Sequence, residues 1–151
     1  MKIRKPIGKV VSGQLHTAYI SETQDTVYTW GDRHSGKLGL GNEGSHVTGA
    51  YRPVPVGDLP KQKIIDVGCA DTFTSFVLDY GEVYMAGKGV FEKPTEDDVE
   101  TFSAPYPVLL ELEIRKVFCG ANHMICLDFY GKCFALGNGN DGCLGLGDNK
   151  N

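Results

Sequence analysis

The chain repeats itself, and that periodicity constrains its fold more than any other feature. Val67, Cys69, Ala70, Phe73, Gly81 and Gly87 return 50 positions later as Val117, Cys119, Gly120, His123, Gly131 and Gly137, with no gap. An earlier copy aligns too. Val10, Gly13 and His16 stand 107 positions before Val117, Gly120 and His123, whereas Val27, Gly31, Gly36, Gly39 and Gly41 stand 106 before Cys133, Gly137, Gly142, Gly145 and Gly147, so the first copy has one extra residue in its middle loop. The reading is a single repeat domain over residues 1–151: repeat 1 at about 1–50, repeat 2 at about 51–101 and repeat 3 at about 102–151.

Each copy runs through a Val-ended segment, a tight turn, an alternating apolar strand, a short loop and a second strand ending in Gly. The strand pairs TAYI and VYTWG, SFVL and VYMAG, MICL and CFALG are rich in β-branched and aromatic residues and too short for helices. Between them DYGE and FYGK place a Gly where a hairpin needs positive φ. In the tails KLGLG (37–41) and CLGLG (143–147), alternation puts Leu38 and Leu40, and Leu144 and Leu146, on one face and Gly on the other. Pro53 with Pro55, and Pro105 with Pro107, lack a ladder donor and belong at an edge or an entry turn. Thirteen of the 20 Gly fall at repeat-equivalent positions, so the high Gly content is punctuation and not flexibility. A unit of about 50 residues made of short strands cannot bury its own faces, but radially stacked units cover one another as propeller blades. The expected fold is all-β, about three blades of a β-propeller.

These motifs resemble the regulator of chromosome condensation repeat family, whose unit carries V-x-C-G-x-x-H-T-x-A-L, then G-x-V-Y-x-W-G, then G-x-L-G-L-G. The first copy reads VVSGQLHTAYI, VYTWG and GKLGLG; the third reads VFCGANHMICL, GKCFALG and GCLGLG. The middle copy departs, with Ala70 for the Gly, Phe73 for the His, and KGVFEKPTEDDVETFS in place of the Gly/Leu tail. The resemblance implies a propeller of usually seven blades serving as a binding platform. Three copies make a partial propeller whose end faces are open. Such an arc is completed by the rest of a longer chain, by oligomerisation into a ring, or by a partner that covers the ends. The resemblance also implies a non-catalytic protein–protein interaction module, with small GTPases or their regulators the first partner class to consider. The alternatives it leaves are a guanine-nucleotide exchange factor for a small GTPase, or one arc of a larger ligase, kinase or ciliary regulator.

In the member of that family that exchanges nucleotide on a small GTPase, the residues between Gly and His of the G-x-x-H turn face the GTPase, and several are acidic. Carried over by position they are Gln14 and Leu15, Asp71 and Thr72, Ala121 and Asn122. Only Asp71 keeps a carboxylate, which argues against that exchange reaction here. The segment EKPTEDDVE, residues 92–100, holds five acids and one Lys and reads as a solvated loop whose Glu96, Asp97 and Asp98 offer a contact to a basic partner. It also accounts for the whole net charge of −4: without it acids and bases balance at 14 each. No concentrated basic face is present, which argues against nucleic acid. Lys2, Arg4, Lys5 and Lys9 read as a frayed, solvated terminus.

The other candidate chemistries are weak. Gly137, Gly139 and Gly142 spell G-x-G-x-x-G, but CLGLGDN does not supply the helix N-terminus that a pyrophosphate needs. His16 and His123 are duplicated by the repeat, which suits a His tying its own turn to backbone better than a catalytic group. Trp30 is expected between blades, and Gly31, Gly87 and Gly137 at strand ends. Cys69, Cys119, Cys126, Cys133 and Cys143 read as buried reduced thiols, with no disulfide, metal or cofactor implied. No apolar run approaches the ~20 residues of a membrane-spanning helix, and the expected location is cytoplasmic or nuclear.

Overall fold

The computed structural model describes residues 6–41, 49–89, 102–108 and 112–147; Lys2, Arg4 and Lys5 and the acidic segment with Glu96, Asp97 and Asp98 lie outside them. The fold is all-β, three antiparallel sheets in which spatial order follows chain order. The first contains β1 (Ile7–Ser12), β2 (His16–Ser21), β3 (Val27–Asp32) and β4 (Gly49–Pro55). The second contains β5 (Ile64–Cys69), β6 (Phe73–Leu78), β7 (Val83–Gly87) and β8 (Phe102–Val108). The third contains β9 (Ile114–Cys119), β10 (His123–Asp128) and β11 (Cys133–Gly137), three strands among the described residues. Each sheet is one blade. The first strands lie side by side, β5 packing on β1 and β9 on β5.

Repetition extends to irregularities. A bulge interrupts each first strand at the same place, between Ile7 and Lys9, between Ile64 and Asp66, and opposite Leu127 and Asp128 in β9. A bulge turns the local strand and changes the aim of the next side chain. The Gly that ends each third strand has φ of +112° at Gly31, +112° at Gly87 and +113° at Gly137. A Cβ there would sit 2.3 to 2.6 Å from a carbonyl oxygen of the preceding turn, so both torsion and space require Gly.

The core is not inside a blade but between blades. Ala18, Ile20 and Val27 of the first meet Val67, Phe76 and Ala86 of the second, and Phe73, Val77 and Met85 of the second meet Val117, Met124 and Cys126 of the third. The same Val therefore has different fates. Val67 is 0% exposed and Val117 3%, whereas Val10, with no described blade before it, is 56% exposed.

One expectation is sharpened and one shifts. The proline segments take an edge position, as the outermost strands, with Pro55 opposite Tyr28 and Pro107 opposite Tyr84, so each closes the blade before it. The first sheet thus runs to Pro55 and the second from Ile64 to Val108. The KLGLG and CLGLG tails are successive turns and not strands, because Gly36, Gly39, Gly41, Gly142, Gly145 and Gly147 all have positive φ. Their leucines consequently differ: Leu38 and Leu144 are buried, while Leu146 is exposed.

Candidate interaction surface

Each first hairpin is closed by the same bond: Gly13 N–H donates to His16 C=O, Ala70 to Phe73 and Gly120 to His123, all at 2.9 Å. Its tip is held by a second repeated bond, from Asp32, Lys88 and Asn138 N–H to the carbonyls of Leu15, Thr72 and Asn122, again at 2.9 Å. In a meander, the connection from third to fourth strand returns to the same end as the first hairpin. The three turns therefore share one rim with the residues that directly follow Asp32, Gly87 and Gly137. Gln14, Leu15, Ala121 and Asn122 are exposed; Asp71 and Thr72 are half-buried. The Thr72 hydroxyl is spent on Lys88 C=O at 2.8 Å.

Neighbouring turns are tied together. The Asp71 N–H donates to Ala121 C=O at 3.0 Å, and the buried Lys37 donates to Asp71 C=O at 3.1 Å. Lys37 also meets the Asp32 carboxylate at 2.5 Å, which His34 Nδ1 approaches at 2.5 Å as well. Partial burial opposes ionisation of Asp32, but these partners outweigh it and hold its pKa down at about 2. The result is a rigid rim with a mostly neutral, polar tip chemistry and one carboxylate.

His16 does not tie its own turn to backbone as the sequence suggested; it reaches the next blade. Its Nε2 lies 2.8 Å from the Thr74 hydroxyl, which itself donates to Lys37 C=O at 2.6 Å. Thr74 has one proton, so Nε2 must carry the other. Nδ1, packed beside Gly13, is buried without a partner among the described residues. Burial first, and the charge of Lys37 second, push the imidazole pKa down to about 4 against the opposing pull of Asp32. The equivalent pair at the second junction is Phe73 with Met124, both buried in the second cluster. Polar meets polar at one junction and apolar meets apolar at the other, which explains why the middle copy lacks its His.

A second inter-blade tie was not legible as such. Asp66, buried within IIDVGC, accepts from the Lys9 ammonium of the first blade and from Val117 N–H of the third at 2.8 Å. Lys9 also donates to Val67 C=O at 3.2 Å, so it is not part of a solvated terminus. The one signal for this was a lone carboxylate in an apolar run, at the bulge of β5.

Other expectations are also corrected. Trp30 is half-buried on the outward face of the first blade, edge-on to Tyr19 at 6.0 Å, and Tyr19 stacks on Tyr28 at 4.8 Å. It lies on a free blade face because no described blade precedes it. All five cysteines are free, but Cys133 and Cys143 are exposed, since β11 and the last tail face outward. Burial pushes the Cys69 and Cys126 thiols up to about 12 and that of Cys119 to about 11. Gly137, Gly139 and Gly142 lead only into a three-residue 3-10 turn, Asn140–Gly142, too short to cradle a pyrophosphate. Among the described residues no three His, Cys, Asp or Glu side chains are grouped to hold a metal, and no helix is long and apolar enough to cross a membrane.

Comparison with known proteins agrees with this geometry. Residues 24–77 match the family model "Regulator of chromosome condensation (RCC1) repeat". The chain is 31% identical over 144 residues to the Ultraviolet-B receptor UVR8 of Arabidopsis thaliana, covering 94% of this chain and 32% of that protein. It is 29% identical over 142 residues to the X-linked retinitis pigmentosa GTPase regulator of Mus musculus, covering 92% and 14%. Among solved structures, Prp20p of Saccharomyces cerevisiae superposes with a TM-score of 0.78 at 17% identity, covering 94% of this chain and 35% of Prp20p. The chain thus spans about a third or less of the length of each.

Proposed function

We propose that this chain, which belongs to the regulator of chromosome condensation repeat family, serves as a non-catalytic protein–protein interaction module working through the rim of its first-hairpin turns. The observation that carries this reading is the repetition itself. Three equivalent turns are held at one end by the same two backbone bonds, with the second turn bonded to the third through Asp71 and to the first blade through Lys37. Such a rim presents Gln14, Leu15, Asp71, Ala121 and Asn122 without the entropic cost of ordering loops on binding. The partner is a protein, and small GTPases are the first class to test: one relative is named a GTPase regulator, and Prp20p is described with its binding to Gsp1p and histones. The location that fits is cytoplasm or nucleus.

The test is affinity capture with mass spectrometry, followed by titration of each partner with Leu15→Asp and Asn122→Arg. Loss of more than tenfold in affinity is expected; unchanged binding by both variants refutes the rim. Glu96, Asp97 and Asp98 are proposed as an auxiliary contact for a basic partner, and reversing all three tests it. An exchange factor would speed nucleotide release from a GTPase at substoichiometric amounts. The proposed module binds without doing so, and fluorescent-nucleotide release over a GTPase panel separates the two.

A further inference from the structure

The two junctions inside the molecule set rules that the third blade's free face can be held to. At the first junction Lys9 supplies a cation to Asp66 of the following blade, and His16 supplies a donor to the Thr74 hydroxyl. Lys116 stands in the third blade where Lys9 stands in the first, and His123 where His16 stands. Lys116 is exposed and His123 half-buried, and neither has a side-chain hydrogen-bond partner among the described residues. Gly120 gives the His123 ring its room, because a Cβ there would fall 2.1 Å from it. Beside them Phe118 is 56% exposed, at the position where Gly68 of the second blade meets Cys119 and Val117 of the third. The face therefore keeps the polar pair of a junction, with nothing described opposite it.

We infer that this face takes a further repeat blade whose first strand carries an acid in register with Asp66 and whose second strand carries a hydroxyl in register with Thr74, and that a second copy of this chain is not that blade. Charge decides between the two. The first blade of a second copy would bring Thr17 to the hydroxyl position but Lys9 to the acid position, setting one cation against another. Val10, exposed on that blade's free face, supplies the apolar contact that Val67 and Val117 make at the internal junctions. A copy thus meets the shape and hydroxyl requirements and fails on sign. Head-to-tail closure of two or more copies is opposed at its first contact.

A four-member charge cycle tests this by sedimentation equilibrium at low salt, with circular dichroism to confirm folding. Wild type opposes Lys116 to Lys9 and is expected to be monomeric. Lys9→Asp sets an acid against Lys116, and Lys116→Glu sets an acid against Lys9. Each is expected to self-associate at least about tenfold more tightly than wild type and to lose that gain in high salt. The double variant sets acid against acid and is expected to return to monomer. Lys116 is exposed and has no side-chain partner among the described residues, so Lys116→Glu leaves the described junctions intact even if Lys9→Asp unfolds the first blade. Phe118→Asp in the Lys116→Glu background is expected to abolish association, which places it on this face. Association of wild type or of the double variant as tight as that of the single variants overturns the inference, as does a Lys116→Glu chain no more associated than wild type.

Discussion

Replacing His16 by Gln removes one titrating group from the first junction while keeping an N–H to offer Thr74. In the native protein His16 is neutral, with Nε2–H donating to a hydroxyl whose own proton goes to Lys37 C=O, and with Nδ1 buried. Protonation would bury a charge away from water, and would do so beside the Lys37 ammonium, which is why the imidazole is pushed down from 6.5 to about 4. A depressed His pKa means that the unfolded chain binds a proton that the folded chain refuses. Stability is therefore full above about pH 6.5 and falls as pH drops toward 4. Linkage over that window gives a loss of about 2 kcal/mol by pH 5 relative to pH 7.5, approaching about 3 kcal/mol near pH 4. Asp32, held at about 2, does not contribute until lower pH. Urea unfolding at pH 7.5 and pH 5.0 measures the loss directly. His16→Gln is expected to lose little stability between pH 7.5 and pH 5, so the two proteins converge in stability as the solution is acidified. An identical drop in both would show that His16 is not the source and would refute the neutral, Nε2-protonated assignment.

Three further outcomes are expected. Asp66→Asn removes the buried charge that joins three blades and should cost about 2–3 kcal/mol at neutral pH in urea unfolding, a value below 0.5 kcal/mol contradicting its bridging role. Gly87→Ala forces a Cβ to 2.3 Å from Thr72 C=O at φ +112° and should cost about 3 kcal/mol, whereas Gly57→Ala, where a Cβ meets nothing within 4 Å, should be near neutral in the same thermal melt. Iodoacetamide at pH 8 should modify Cys133 and Cys143 quickly and leave Cys69, Cys119 and Cys126 untouched until denaturant is added; intact-mass spectra showing three or more adducts on the native chain would contradict the burial that raises those thiols.

Much of the architecture was legible because it is written three times. A bare hairpin pattern is weak, but the recurrence of Val10, Val67 and Val117, and of Gly31, Gly87 and Gly137, leaves little choice in hairpin order or position. The Gly/Leu tails were misread because alternation of Leu and Gly imitates a strand, while the positive φ at each Gly makes it a chain of turns. The rim turns were placed by the repeat alone. What links them was not, since the bonds of Lys37 and Asp71 cross from one unit to the next.

The amino-acid sequence by itself determined the unit: its strands, its Gly positions, its length and the fact that it cannot stand alone. Those properties depend on contacts between residues close in the chain, and local chemistry with period-two burial reports them. Only the tertiary structure decided what each unit does to its neighbour. His16 meets Thr74, Phe73 lies with Met124 in one core cluster, and Lys9 meets Asp66, pairs separated by 50 residues or more. No single copy carries such a pair, because its two members lie on different blades and face each other only after stacking. The same holds for Lys116 and His123, whose chemistry in the third copy looks like the first but whose partners are absent from the described blades. Repetition fixes the blade; the junction fixes whether one blade can follow another.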